Sequence, residues 1–243
     1  MVRIISKAAN HFAMRWCSVL SHLSSERGKV LMFHDIGNND GELNLDVSSF
    51  EQILQTANEW CIALLNWESY AGKGKFIALT FDDVKYSFYE NAYHLLKRYN
   101  CPFTIFVNCE LLDKPGYISS DDLRELALDP LCTIGSHGLK HTFFSKYTNE
   151  EALADMKESK ETLQGLTGRD VELFAFPYGS FAACGWRKHK LVTDIYKYGF
   201  STINAPIPQR GFISLGFLPR LNVDNNTFKN YIREKIICDC TGV

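Results

Sequence analysis

Two neighbouring carboxylates, Asp82 and Asp83, close the apolar run of residues 76–81, and further along the chain His137 and His141 stand four residues apart. Adjacent carboxylates leave a turn in different directions, so one can hold a cation while the other works as a base. Histidines at i and i+4 lie on one side of a helical turn and suit a shared metal. An aspartate with two imidazoles leaves coordination positions for water and substrate. This nitrogen and oxygen set suits zinc, cobalt, nickel or ferrous iron without choosing among them. Each piece has a plainer alternative: aspartates after a strand can cap the next helix, and paired histidines can be ordinary surface or core residues. What argues for a site is convergence. His34-Asp35, Asp82-Asp83, Ser136-His137 with His141, Pro177-Tyr178-Gly179 and Asn204 all sit at the ends of apolar runs, and Arg220 interrupts the last such run.

The elements that must position these residues read as an alternation. Short β-branched or aromatic runs predict strands near 29–34, 76–81, 102–108, 131–136, 172–176, 200–204 and 217–223. Between them lie helical patterns. Ser48-x-x-Glu51 and Thr148-x-x-Glu151 fit capping boxes. Tyr89, Ala92, Leu95, Leu96 and Tyr99 form one apolar face, Gly199 is placed to stop a helix over 190–198, and Asn226 to cap a last one over 227–236. Seven strands alternating with helices predict an α/β fold with a parallel sheet. A chain of 243 residues with no repeat or Pro/Gly-rich linker fits one such domain, over 29–243, behind a leader of residues 1–28. In an α/β barrel, functional residues belong at the C-terminal ends of strands, where these residues fall.

Composition narrows the class. Hydrophobic residues at 46% and charged residues at 22% describe an ordinary globular protein. Lys+Arg 26 against Asp+Glu 28 leaves no basic excess for binding nucleic acid. The eight cysteines form no C-x-x-C, so reduced thiols in the cytoplasm are expected. Lys7, Asn10, His11 and Arg15 interrupt the leader, which reads as neither signal peptide nor transmembrane span. It reads as a mobile or loosely packed segment, with an amphipathic helix touching a membrane surface or a partner as the alternative.

Three segments carry a family resemblance. Thr80-Phe81-Asp82-Asp83, Ser136-His137-Gly138-Leu139-Lys140-His141 and Phe174-Ala175-Phe176-Pro177-Tyr178-Gly179 resemble, in order and separation, the first three motifs of the polysaccharide deacetylases (carbohydrate esterase family four, the NodB-homology domain). The resemblance covers roughly residues 29–224. It implies a distorted (β/α)7 barrel of parallel strands that removes N-acetyl groups from sugars with a divalent metal, zinc first, with cobalt, nickel or ferrous iron as alternatives. By that resemblance Asp82 is the general base, Asp83, His137 and His141 hold the metal, and the Tyr178 backbone N–H steadies the oxyanion.

The chain departs from the family pattern in three places. Phe174, Ala175 and Phe176 fill the segment just before Pro177-Tyr178 where the family carries an arginine, no Asp-Trp pair follows, and no late Leu-x-His supplies an acid, since no histidine follows His189. Leu31-Met32-Phe33-His34-Asp35-Ile36 instead resembles the first strand of the poly-N-acetylglucosamine deacetylase branch, which implies His34 as general acid. Leu218-Pro219-Arg220-Leu221-Asn222-Val223 resembles that branch's late strand, with Arg220 orienting Asp82. Strand-end packing for His34 and a surface ion pair for Arg220 are the alternatives. Phe143, Phe144, Phe181 and Trp186 are candidates to stack on sugar rings. The expected substrate is an N-acetylated sugar or glycan precursor. A non-sugar amide or imide hydrolase, or a silent carbohydrate-binding protein, would be the competing readings.

Overall fold

The computed structural model describes residues 28–70, 76–185, 187–207 and 214–228. In chain order the strands are β1 Gly28–Phe33, β2 Asp35–Ile36, β3 Asn44–Leu45, β4 Phe76–Asp82, β5 Phe103–Val107, β6 Cys132–Ser136, β7 Leu173–Ala175, β8 Tyr198–Phe200 and β9 Leu221–Asn222. β2 and β3 pair only with each other. The other seven form one sheet in the order β8-β7-β6-β5-β4-β1-β9, parallel at every junction.

The sheet curls until its two edges share one segment. Leu221 pairs with Leu31 in β1, while Leu218, three residues earlier, bridges Phe200 in β8. The Leu218 N–H donates to Gly199 at 2.7 Å, the Ser201 N–H to Leu218 at 2.8 Å, and the Val223 N–H to Met32 at 2.9 Å. The result is the expected distorted (β/α)7 barrel in one domain.

Period-two alternation sends the strand residues to two cores. Leu31, Phe33, Leu79, Phe81, Phe103, Ile105 and Ile134 pack outward against helix residues such as Phe50, Leu96, Leu123, Met156 and Leu163. Val30, Ala78, Phe106, Ala175, Phe200 and Leu218 make a second cluster that fills the barrel. Asp82 shares the parity of Ala78, and Arg220 that of Leu218. Both therefore point inward, where two charges are tolerated only as a pair.

Most local expectations hold, and three are corrected. Thr148 caps the helix Asn149–Thr167 through a reciprocal box with Glu151, its N–H donating to Glu151 Oε2 at 2.7 Å. The Ser48 box does not form. The helix Val47–Ala57 opens behind Asp46, whose carboxylate accepts instead from Asn225 Nδ2 at 3.0 Å. Gly199 is the middle of β8 rather than a helix stop. A Cβ there would lie 2.4 Å from the Gly216 carbonyl oxygen, so only glycine lets the closing segment approach, and the preceding helix is just His189–Val192. Asp224, not Asn226, caps the helix Asn225–Thr227, its carboxylate accepting from the Thr227 N–H at 2.8 Å. The expected continuation over 229–236, the leader up to residue 27 and Trp186 lie outside the described residues. Among the described residues no helix is long and apolar enough to cross a membrane.

Candidate active site and metal centre

The site forms where four strands end on one rim. β4 runs into Asp82 and then turns sharply, with Asp83 at φ 60° and Val84 at φ 49°. Left-handed backbone at two successive non-glycine residues, one of them β-branched, costs on the order of 1–3 kcal/mol each and persists only where surroundings enforce it. The Val84 N–H donates back to the Asp82 carbonyl at 2.7 Å, and Ile118 donates to the Val84 carbonyl. This turn is what drives the two carboxylates apart.

Asp82 goes inward. Its two oxygens accept from Arg220 at 2.6 and 2.7 Å, a bidentate pair with both side chains fully buried. Arg220 also donates through Nε to the Ser201 carbonyl at 3.0 Å, and its guanidinium lies 5.2 Å from the centre of the Phe106 ring. Burial by itself would raise the Asp82 pKa. The Arg220 charge, with smaller help from His137 and His34, outweighs it and holds the carboxylate below its usual range. The surface ion pair considered for Arg220 is therefore replaced by a buried one.

Asp83 goes across the rim. Its Oδ1 lies 3.2 Å from His141 Nε2 and 3.6 Å from His137 Nε2. One ligand atom from each of the three lies within 4.8 Å of the others. The i, i+4 spacing does not work here through a helical turn. Residues 137–141 are an irregular loop in which Gly138 takes φ 82°, and the loop wraps so that both rings face Asp83. His137 Nδ1 donates to the Ala175 carbonyl at 2.8 Å, which leaves Nε2 as the lone-pair nitrogen aimed at the cluster.

These residues fit a divalent cation. Asp83 Oδ1 is buried with no hydrogen-bond partner, facing two imidazole nitrogens. Burial would raise the Asp83 pKa, but His141 and His137 together hold it well below the ordinary carboxylate range. Burial keeps the His137 pKa below its usual value, against the pull of Asp82 and Asp83, which favours the neutral imidazole that holding a cation requires. His141 is less buried, and Asp83 raises it.

His34 follows β1 on the same rim, and its parity is that of Met32. Its Nδ1 is buried without a hydrogen-bond partner. Burial pushes its pKa below 6.5, and the nearby charges of Asp82 and Asp83 only partly oppose this. Asp35 next to it accepts from Ser87 Oγ at 2.5 Å and Lys85 Nζ at 2.9 Å, tying the end of β1 to the loop after β4.

Tyr178, at φ 60°, lies on the strained turn after β7, and its N–H makes no hydrogen bond within the described residues. Its ring is 49% exposed, lies 4.7 Å from the His141 ring and stacks on Phe143 at 4.3 Å. Phe143 and Phe181 are exposed, but Phe144 is fully buried among Phe174, Phe176 and Tyr147 and has no face for a sugar.

Sequence reasoning passed over Asn108 and Asp155. Asn108 directly follows β5, and its Nδ2 donates to the His137 carbonyl at 2.9 Å. A polar residue directly after Phe-Thr-Ile-Phe-Val was the available signal. Asp155 sits mid-helix, where an acidic residue ordinarily faces water, and gave none.

A family model for polysaccharide deacetylase matches residues 69–195, just over half of the chain. The chain belongs to the polysaccharide deacetylase family. Among curated proteins it is 22% identical over 160 residues to YxkH of Bacillus subtilis, covering 63% of this chain and 57% of that one. It is 25% identical over 191 residues to the poly-beta-1,6-N-acetyl-D-glucosamine N-deacetylase of Staphylococcus epidermidis, covering 71% of this chain and 64% of that one. The chain thus spans less than two thirds of either relative. Among solved structures, the Streptococcus pyogenes deacetylase PplD, in complex with acetate, superimposes with a TM-score of 0.73 at 20% identity. That match covers 85% of this chain and 97% of the other. A polysaccharide deacetylase from Bacillus cereus gives 0.74 at 22% identity, covering 86% and 68%. At these identities the structural matches establish the barrel. The family rests on the sequence match.

Proposed function

We propose that this family member hydrolyses the N-acetyl groups of an N-acetylated glycan, and that Asp82, Asp83, His137, His141, His34, Tyr178 and Arg220 carry the reaction. The observation that supports it most is the divergence of two adjacent carboxylates: Asp82 is locked to Arg220, and Asp83 faces two imidazoles. Such a pair separates the base from the cation site within one turn.

Asp83, His137 and His141 hold the cation, and the donor set suits zinc, with cobalt, nickel and ferrous iron as substitutes. When bound, that ion polarises the acetyl carbonyl and makes water more acidic. Asp82 takes the proton of the attacking water, with Arg220 keeping the carboxylate ionised and aimed. The Tyr178 N–H donates to the oxygen that gains charge. His34 gives a proton to the nitrogen as the C–N bond breaks, so that it leaves as an amine. Water supplies the oxygen, and the products are acetate and an amino sugar.

The Staphylococcus epidermidis relative makes a β-1,6-linked N-acetylglucosamine oligomer the substrate to try first. The exposed Tyr178 and Phe143 rings beside His141 favour a pyranose over a small imide. Incubating zinc-loaded protein with that oligomer and assaying free amino groups tests the reading. New amines on the oligomer are expected, and an oligomer recovered fully acetylated would contradict it.

A further inference from the structure

The loop that carries the two histidine ligands forms no helix or strand, and its shape is held from outside. On one side the His137 N–H donates to the Val107 carbonyl at 2.8 Å, and the Gly138 and Leu139 carbonyls accept from the Cys109 and Glu110 N–H groups at 3.2 and 3.0 Å. The helix Asn149–Thr167 holds the loop from below. Asp155, buried on that helix, turns its carboxylate to the loop: Oδ1 accepts from the Leu139 N–H at 2.9 Å and Oδ2 from the Lys140 N–H at 3.3 Å. Tyr147 closes the arrangement, its hydroxyl donating to Oδ2 at 3.1 Å. These are the two residues immediately before His141. Gly138 completes the fit, because a Cβ there would lie 3.1 Å from Asp155 Oδ1, on top of a φ of 82°. A carboxylate that has given up water to accept two backbone N–H groups and a phenol restrains a loop far more firmly than an apolar residue would.

We propose that Asp155 is a positioning residue for the metal centre: it grips the backbone of Leu139 and Lys140 so that His137 and His141 present their Nε2 atoms to Asp83 together. The proposal rests on the metal-centre reading above. It assigns Asp155 no contact with substrate.

The test measures Zn2+ affinity by calorimetry on folded protein, independently of turnover. Asp155→Asn keeps the shape but replaces one accepting oxygen with an NH2 that opposes the Lys140 N–H and cannot receive the Tyr147 proton. Loss of an outer partner of this kind typically weakens metal binding by about 10–100-fold, and that range is expected here. Tyr147→Phe, which removes one bond only, should weaken binding in the same direction by less, and it serves if the Asn variant does not fold. Leu163→Ala, on the same helix and fully buried away from the loop, should lower the melting temperature while leaving Zn2+ affinity as in wild type. That control separates positioning from general stability. Wild-type Zn2+ affinity in both Asp155→Asn and Tyr147→Phe, or equal weakening in Leu163→Ala, overturns the proposal. Wild-type protein that takes up no Zn2+ overturns the metal-centre reading and this proposal with it.

Discussion

Arg220 meets Asp82 from 138 positions along the chain, with both carboxylate oxygens held at 2.6 and 2.7 Å and neither side chain more than 1% exposed. The strand that closes the barrel thus also delivers the partner of the proposed base. Closure and the proposed catalytic pair share one segment, since Leu218 bridges β8 two residues before Arg220 and Leu221 pairs with β1 one residue after it.

Arg220→Met leaves the Asp82 carboxylate buried without its partner. Breaking a buried pair in this way costs about 3–5 kcal/mol, which urea denaturation at neutral pH should show. Asp82 is depressed in the folded state, so its stabilisation is present above the unfolded carboxylate value of about 3.9 and disappears as pH falls through the lower folded value. With Arg220 gone burial dominates, the pKa rises, and the acid limb of kcat/KM moves to higher pH. An unchanged acid limb in a folded Arg220→Met protein would argue against Asp82 as the base.

In the proposed mechanism His34 supplies the other limb. Burial holds its pKa below 6.5, so raising the pH removes its proton early, and the alkaline fall of kcat/KM should begin below that value. The two limbs belong to the coupled Asp82–His34 pair rather than to either residue alone. His34→Ala should keep its metal and lose on the order of 10²–10⁴ in kcat. Acetate release at the wild-type rate from a metal-loaded His34→Ala protein would remove His34 from the mechanism.

Asp83→Ala fails differently. It deletes a ligand rather than a proton carrier, so Zn2+ affinity should fall by more than the roughly 10–100-fold typical of an outer-shell change. Calorimetry with Zn2+ checks this directly. Wild-type affinity in Asp83→Ala would place the ion elsewhere.

Much of this was legible in the residues because apolar runs and the polar residues ending them survive any packing. The runs at 76–81 and 131–136 place Asp82-Asp83 and Ser136-His137 at strand ends, and so at the rim. Contacts between distant backbones were not legible. Gly199 looks like a helix stop when its only visible neighbours are a helical pattern, and its actual constraint is Gly216, which sequence does not bring near. Ser48 fits a capping box on spacing alone, yet Asp46 is held by Asn225 across the fold and the helix starts before Ser48. Asp155 was invisible for the same reason: two of its three partners are backbone N–H groups, which carry no residue signature.

Gly199→Ala tests that lesson. Its Cβ would meet the Gly216 carbonyl at 2.4 Å. Backbone must move, and overpacking of this kind costs about 1–3 kcal/mol. Thermal unfolding should show the loss, whereas Gly165→Ala, where a Cβ meets nothing within 4 Å, should leave stability equal or slightly higher.

The central claim is that metal and Asp82 act together on an acetamido group. Its most direct measurement is acetate released from a β-1,6-linked N-acetylglucosamine oligomer by Zn2+-loaded wild type, by the same protein after chelation, and by Zn2+-loaded Asp82→Asn. Steady release is expected from the first, none after chelation with recovery when Zn2+ returns, and a loss on the order of 10²–10⁴ in the third despite normal Zn2+ binding. Release that persists undiminished in the chelated protein, or in Asp82→Asn, would contradict it.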